Sequence, residues 1–128
     1  MKRVLLLGVV FSLVAGCGGM GSLLSSPFAG NYAGSFTTSD SQHGTATFAV
    51  ASDGTITGTV NNVTTGGTGS LTGTINPVGN VNASLAYTST TFSLVGTGSF
   101  NGSNQLIITV VETGNGTTAT LTFTMSPQ

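Results

Sequence analysis

From Phe28 onward apolar and polar residues exchange places every second position, and no stretch sustains the 3.6-residue period of a helix. Alternate side chains of an extended chain point to opposite faces, so this pattern predicts strands with one buried and one solvated face. The alternation divides into eight runs, at 31–38, 45–51, 55–61, 69–76, 80–87, 91–100, 105–112 and 117–125. Turn chemistry stands between them. Asp53-Gly54 is a two-residue hairpin signal, and Asn76-Pro77-Val78-Gly79, Asn101-Gly102, the Gly66-Gly67 pair and Gly114-Asn115-Gly116 mark further reversals. None of these connections reaches the dozen residues that a parallel crossover takes, so each strand is expected to pair antiparallel with the next. The predicted fold is all-β: a single up-and-down meander of about eight strands.

A short recurring motif predicts that this sheet closes. Tyr32-Ala33-Gly34-Ser35-Phe36, Ile56-Thr57-Gly58-Thr59-Val60 and Leu71-Thr72-Gly73-Thr74-Ile75 each place large apolar residues two positions either side of a glycine, and 94–100 is a looser copy. Glycine and both large residues then share one face. A glycine at such a position marks a sharp bend or a close backbone approach, and a sheet needs such bends to curl shut. Small barrels also alternate small and large interior side chains.

By parity the inward set is Tyr32, Phe36, Phe48, Val50, Ile56, Val60, Leu71, Ile75, Val81, Leu85, Tyr87, Phe92, Leu94, Phe100, Leu106, Ile108, Val110, Leu121 and Phe123. The outward positions are mostly Thr, Ser and Asn, the reverse of a membrane-spanning barrel. Residues 106–111 combine high β-propensity with no charge, an aggregation hazard that Glu112 is placed to guard.

Ahead of this region the pattern changes. Lys2 and Arg3 precede an apolar run at 4–14, too short to cross a bilayer, which takes about 20 apolar residues. A positive start, a short apolar stretch and small residues at its end form the layout of a secretory signal. Val14-Ala15-Gly16-Cys17 is similar to a bacterial lipobox, an aliphatic residue, two small ones and a cysteine. The resemblance to bacterial lipoproteins covers the first 17 residues. It implies cleavage between Gly16 and Cys17, a diacylglyceryl group on the Cys17 sulfur and an acyl chain such as palmitate on the freed amine. Gly18 in place of Asp after that cysteine implies sorting to the outer membrane of a Gram-negative cell envelope. The expected organisation is a signal peptide at 1–16, a flexible tether at 17–27 and a barrel domain at 28–128. About ten small and polar residues span roughly 17–19 Å as a random coil.

Charge narrows the partners. Lys2 and Arg3, the only basic residues, lie in the leader, so the remainder carries only Asp40, Asp53 and Glu112 as charged side chains. Nucleic-acid binding needs cations to neutralise phosphates and is excluded as an expectation. Cys17 has no second cysteine to pair with, in keeping with lipidation.

The spacing over 30–125, with a glycine-aromatic first strand and the Asp53-Gly54 turn, resembles small bacterial exported barrels of the avidin and lipocalin type. The chain departs from both patterns. It has no Trp, on which avidin-type biotin sites rely, and Gly30-Asn31-Tyr32 stands where lipocalins have Gly-x-Trp.

Reactive groups are few. His43 lies three residues from Asp40, but a catalytic zinc site wants three protein ligands, and a solvated loop accounts for both. Asp53 has a turn role. Gly-x-Ser-x-Gly does not occur. The Gly-x-Gly-x-x-Gly at Gly16, Gly18 and Gly21 straddles the cleavage point and opens no helix, so it is no dinucleotide fingerprint.

Two features remain. Gly34, Ala46, Gly58, Gly73, Ala83, Gly96 and Gly98 point inward; they let the walls close on the aromatics or leave space for a small hydrophobic ligand, which an eight-stranded barrel can hold. Val95, Ile107 and Val111 face outward as a candidate interaction patch, with Leu23, Leu24 and Phe28 available to cover it.

The expected function is a non-catalytic, membrane-anchored lipoprotein without a cofactor. Its barrel is read as a structural or protein-interaction module in the bacterial envelope. The alternatives are a carrier of a small hydrophobic ligand or a protease-inhibitor-like barrel.

Overall fold

A computed structural model describes residues 25–128. Eight strands run in chain order: β1 (Gly30–Thr38), β2 (His43–Val50), β3 (Thr55–Asn62), β4 (Thr68–Ile75), β5 (Asn80–Ala86), β6 (Thr91–Phe100), β7 (Leu106–Gly114) and β8 (Thr117–Pro127). Each pairs antiparallel with the next, and β8 returns to β1, closing the meander into a barrel. The strands extend slightly beyond the sequence pattern at points where neighbours supply partners. β2 starts at His43 opposite Thr37, and β8 continues to Pro127 opposite Tyr32. Local alternation cannot foresee a partner that only closure brings.

The turns follow their side chains, with one correction. Asp53-Gly54 is not a two-residue hairpin: the connection spans 51–54, closed by Ala51 N–H to Thr55 O at 2.8 Å and Gly54 N–H to Ala51 O at 2.9 Å. Asp53 instead accepts the Thr55 N–H at 3.0 Å. The two-residue hairpin is Asn115-Gly116, with φ of 52° and 75°, both central residues left-handed as a type I′ turn requires. Asn76 and Asn101 organise two turns at the other end. Asn76 Oδ1 accepts from Val78 and Asn80 N–H, and Asn101 Oδ1 accepts from Ser103 and Gln105 N–H.

The core fills the barrel, and the register explains the glycines. Gly58 sits between Phe48 of β2 and Leu71 of β4, and Gly96 between Val81 of β5 and Val110 of β7. Around the wall each small residue leaves room for large neighbours, as interdigitated packing demands. An added Cβ at Gly34, Gly58, Gly73 or Gly96 would come within 3.0 Å of the adjacent strand's backbone. Through the centre, Tyr32, Phe48, Phe123 and Phe36 form a connected aromatic series with ring centroids 5.6, 6.4 and 5.7 Å apart. Such pairs add about 0.5–1.5 kcal/mol each beyond burial.

The inward set is buried as expected except at the rims. Phe100 is 40% exposed, and Tyr87 and Phe92 are half-buried. Parity fixes which way a side chain points but not how deep its position lies, and these three stand where strands run out. Phe28, Ala46, Ala83 and Met125 join the core.

One end of the barrel is plugged by the chain's own entry. Phe28 is buried and stacks on Phe100 at 5.5 Å, while the Tyr32 hydroxyl donates to Phe28 O at 2.7 Å. Ser26, which falls in the expected tether, is itself buried: its N–H donates to Ser52 O at 2.7 Å and its Oγ accepts the Phe28 N–H.

The tight wall at Gly96 generates a stability test. Gly96→Ala should cost about 1–3 kcal/mol in chemical denaturation, the usual cost of overpacking. Gly102→Ala, with nothing near its would-be Cβ, should stay within about 0.5 kcal/mol of the parent. Equal midpoints for the two variants would show that the wall at Gly96 relaxes freely.

Candidate functional site

The end opposite Phe28 is open. There the β1–β2, β3–β4 and β5–β6 connections and the β7–β8 hairpin surround a cavity of about 270 Å³. Its floor is Phe36 and Leu121, the top of the packed interior, and Tyr87 and Phe92 form one wall. These two rings meet edge to face at 6.0 Å. The closed interior below holds a void of only about 10 Å³, about enough for one water-sized probe. Among the described residues the interior below the mouth therefore leaves no ligand-sized space, and the inward glycines serve packing.

A polar strap holds the rim on the side of the β1–β2 and β3–β4 connections. Asn62 is 5% exposed; its Nδ2 donates to Gln42 Oε1 at 2.8 Å, and its Oδ1 accepts the Thr65 N–H at 3.1 Å. Gln42 Nε2 in turn donates to Asp40 at 3.2 Å, and the Thr38 hydroxyl also donates to Asp40. Ser41, in the left-handed region at φ 71°, lets the loop reverse so that both Asp40 and Gln42 line the cavity. Ser39 ties this loop to β8 by exchanging hydrogen bonds with Thr120. The rim is thus held by side chains as well as by strand ends.

Glu112 is the residue whose place in the cavity sequence reasoning missed. Read in the chain only as a guard on 106–111, it has Leu94 and Ala119 as partners in register, and it lines the cavity. The signal was present in the chain: Glu112 shares parity with Leu106, Ile108 and Val110. Burial pushes its carboxyl above the ordinary value, and the Asp40 charge adds to the shift. No hydrogen bond to this carboxylate contributes. Burial likewise raises the Tyr87 hydroxyl, with the Asn62 side chain pulling the other way and Glu112 pushing up.

The remaining candidates are dispersed. His43 opens β2 rather than lying in a loop; it is exposed and absent from the cavity lining. Among the described residues no three His, Cys, Asp or Glu side chains gather as metal ligands. Val95 and Val111 are direct partners on β6 and β7, 53% and 44% exposed. Ile107 lies apart opposite Ser99, with the Thr97–Thr109 pair between, and is half-buried. Phe28 plugs the barrel and does not cover this patch. Gly16, Cys17, Leu23 and Leu24 lie outside the described residues.

No protein-family model, curated protein or solved structure matches this chain.

The position of Glu112 predicts a pH response. A carboxyl whose pKa is raised by folding favours the protonated fold, so its contribution is full below the ordinary value of 4.5 and is lost as pH rises through the folded-state pKa. Asp53 runs oppositely. Its pKa is lowered by hydrogen bonds from Thr55, so its contribution holds above 3.8 and is lost as pH falls below that. Between neutrality and about pH 4.5 the Glu112 effect therefore dominates the slope. Glu112→Gln should raise the melting temperature at pH 7 by about 2–4 °C, a shift of about 1 kcal/mol or less for a domain of this size, and should flatten the melting-temperature profile in that window. A variant melting below the parent at pH 7 would contradict the assignment.

Proposed function

We propose that this protein is a non-catalytic bacterial lipoprotein, held in the cell envelope through Cys17, whose barrel presents its open mouth as an interaction module. The observation that carries the reading is the polarity of the barrel. The chain enters at the end plugged by Phe28, where Ser26 is bonded to the β2–β3 connection, and the mouth lies at the opposite end. An anchor at Cys17 stands only eight residues before Ser25. The plugged end then faces the bilayer, and the mouth faces away from it.

Two acyl-chain signals suffice for stable attachment, since each buried methylene contributes about 0.8 kcal/mol. The barrel's wall needs no charge to stay near the membrane. Val95 and Val111 offer a small apolar contact on that wall for an envelope protein partner. The mouth offers carboxylates, amides and hydroxyls, while His43, the chain's only histidine, stands outside it. Gly18 after the cysteine favours the outer membrane.

Replacing Cys17 with Ala and fractionating cells tests the anchor. The variant is expected to lack the added lipid mass and to leave the membrane fraction wherever its leader is removed at another site. Membrane retention at unchanged apparent size would overturn the lipoprotein reading. A pull-down from detergent-solubilised envelope, compared between the parent and a Val95→Ser/Val111→Ser double variant, tests the interaction patch. A partner recovered equally well by both would remove the patch from the proposal.

A further inference from the structure

We propose that the mouth is a binding site for a small organic cation, an alkyl- or arylammonium, with its charge held at Glu112 and its apolar body against Tyr87, Phe92 and Phe36. This inference stands on the mouth alone and does not depend on lipid anchoring.

The first argument is shape. The cavity is a concavity of about 270 Å³ with an aromatic wall, an apolar floor and a braced polar rim. Its size, near the low end for ligand pockets, suits a molecule of about one ring and excludes a peptide or a polymer.

The second argument is an unbalanced charge in an expensive place. Glu112 occupies an inward register position between Leu94 and Ala119, where an apolar side chain would continue the core. A partly buried carboxylate without hydrogen bonds is destabilising, and Asp40 across the cavity worsens it. No Lys or Arg exists among the described residues to pair with either acid. A cation from solution would remove both penalties at once.

The third argument is the wall itself. Tyr87 and Phe92 border the same space as Glu112, and a desolvated cation over an aromatic face is attracted by the ring quadrupole. Carboxylate plus aromatic wall is the recognition chemistry of an organic ammonium.

Competing occupants fit less well. An anion would meet two like charges. A divalent metal lacks its ligand set, since among the described residues no third acid, His or Cys joins the two carboxylates. A long apolar ligand finds the barrel filled below Phe36 and Leu121.

The test uses the full-length chain purified in detergent, titrated by calorimetry or NMR with phenethylammonium and benzyltrimethylammonium. Their neutral and anionic counterparts, phenethyl alcohol and phenylacetate, serve as comparison. At least one ammonium is expected to bind at millimolar or tighter affinity, about tenfold or more better than its neutral counterpart. Glu112→Gln should weaken that binding by about tenfold or more while leaving the fold at least as stable as the parent, so lost binding cannot be ascribed to unfolding. Val78→Ser, on the exposed β4–β5 turn at the plugged end, should leave binding unchanged. Equal affinity for ammonium and alcohol, undiminished binding in Glu112→Gln, or no ammonium binding at millimolar concentration would each overturn the proposal.

Discussion

Closure of β8 onto β1 is the constraint on which the rest of this structure depends. Once the last strand bonds to the first, the sheet has no edge and its circumference is set. The interior is then a fixed volume that inward side chains must fill without excess. Gly58 and Gly96 satisfy that condition by standing between large residues of both adjacent strands, and Gly34 and Gly73 by standing between one large residue and an alanine. A flat sheet would gain nothing from them, because a strand glycine without a packing role only weakens the strand. The same residues that look like defects in isolated strands are what allow eight of them to curl.

Charge follows from the same geometry. A packed interior has no place for ionised groups, and the outer wall of Thr, Ser and Asn stays hydrated without them. Charge therefore collects at the ends. Asp53 serves a turn beside the plugged end, where it accepts hydrogen bonds and its carboxylate is favoured. Asp40 and Glu112 stand at the mouth, and for Glu112 the carboxylate is disfavoured. Two acids of one chain thus respond to pH in opposite senses, because one has donors and the other has apolar neighbours. The contrast makes the mouth the chemically unusual end of the molecule.

The ends also differ in how they are held. Phe28 and Ser26 close one by packing and hydrogen bonds from the entering chain. The mouth stays open because the strap from Asn62 through Gln42 to Asp40 braces the wall without crossing the cavity. Those amides bond to one another, to Asp40 and to backbone, whereas among the described residues no protein hydrogen bond reaches the Glu112 carboxylate.

Much of the architecture was legible in the chain itself. Period-two alternation placed every strand, short connections imposed antiparallel order, and the glycine motif indicated curvature, since all three are local properties of the backbone. Parity even pointed Glu112 inward, although its charge invited a reading only as a guard. Depth was not legible. Phe100, Tyr87 and Phe92 share the inward parity of Leu94 yet stand at the rims, because distance from a barrel's end depends on how strands are staggered against one another. Up-and-down order already puts alternate connections at one end, but that Asp40, Asn62, Tyr87 and Glu112 meet around one cavity was decided only by closure: these four, up to 72 positions apart in the chain, become neighbours when the sheet bends round on itself.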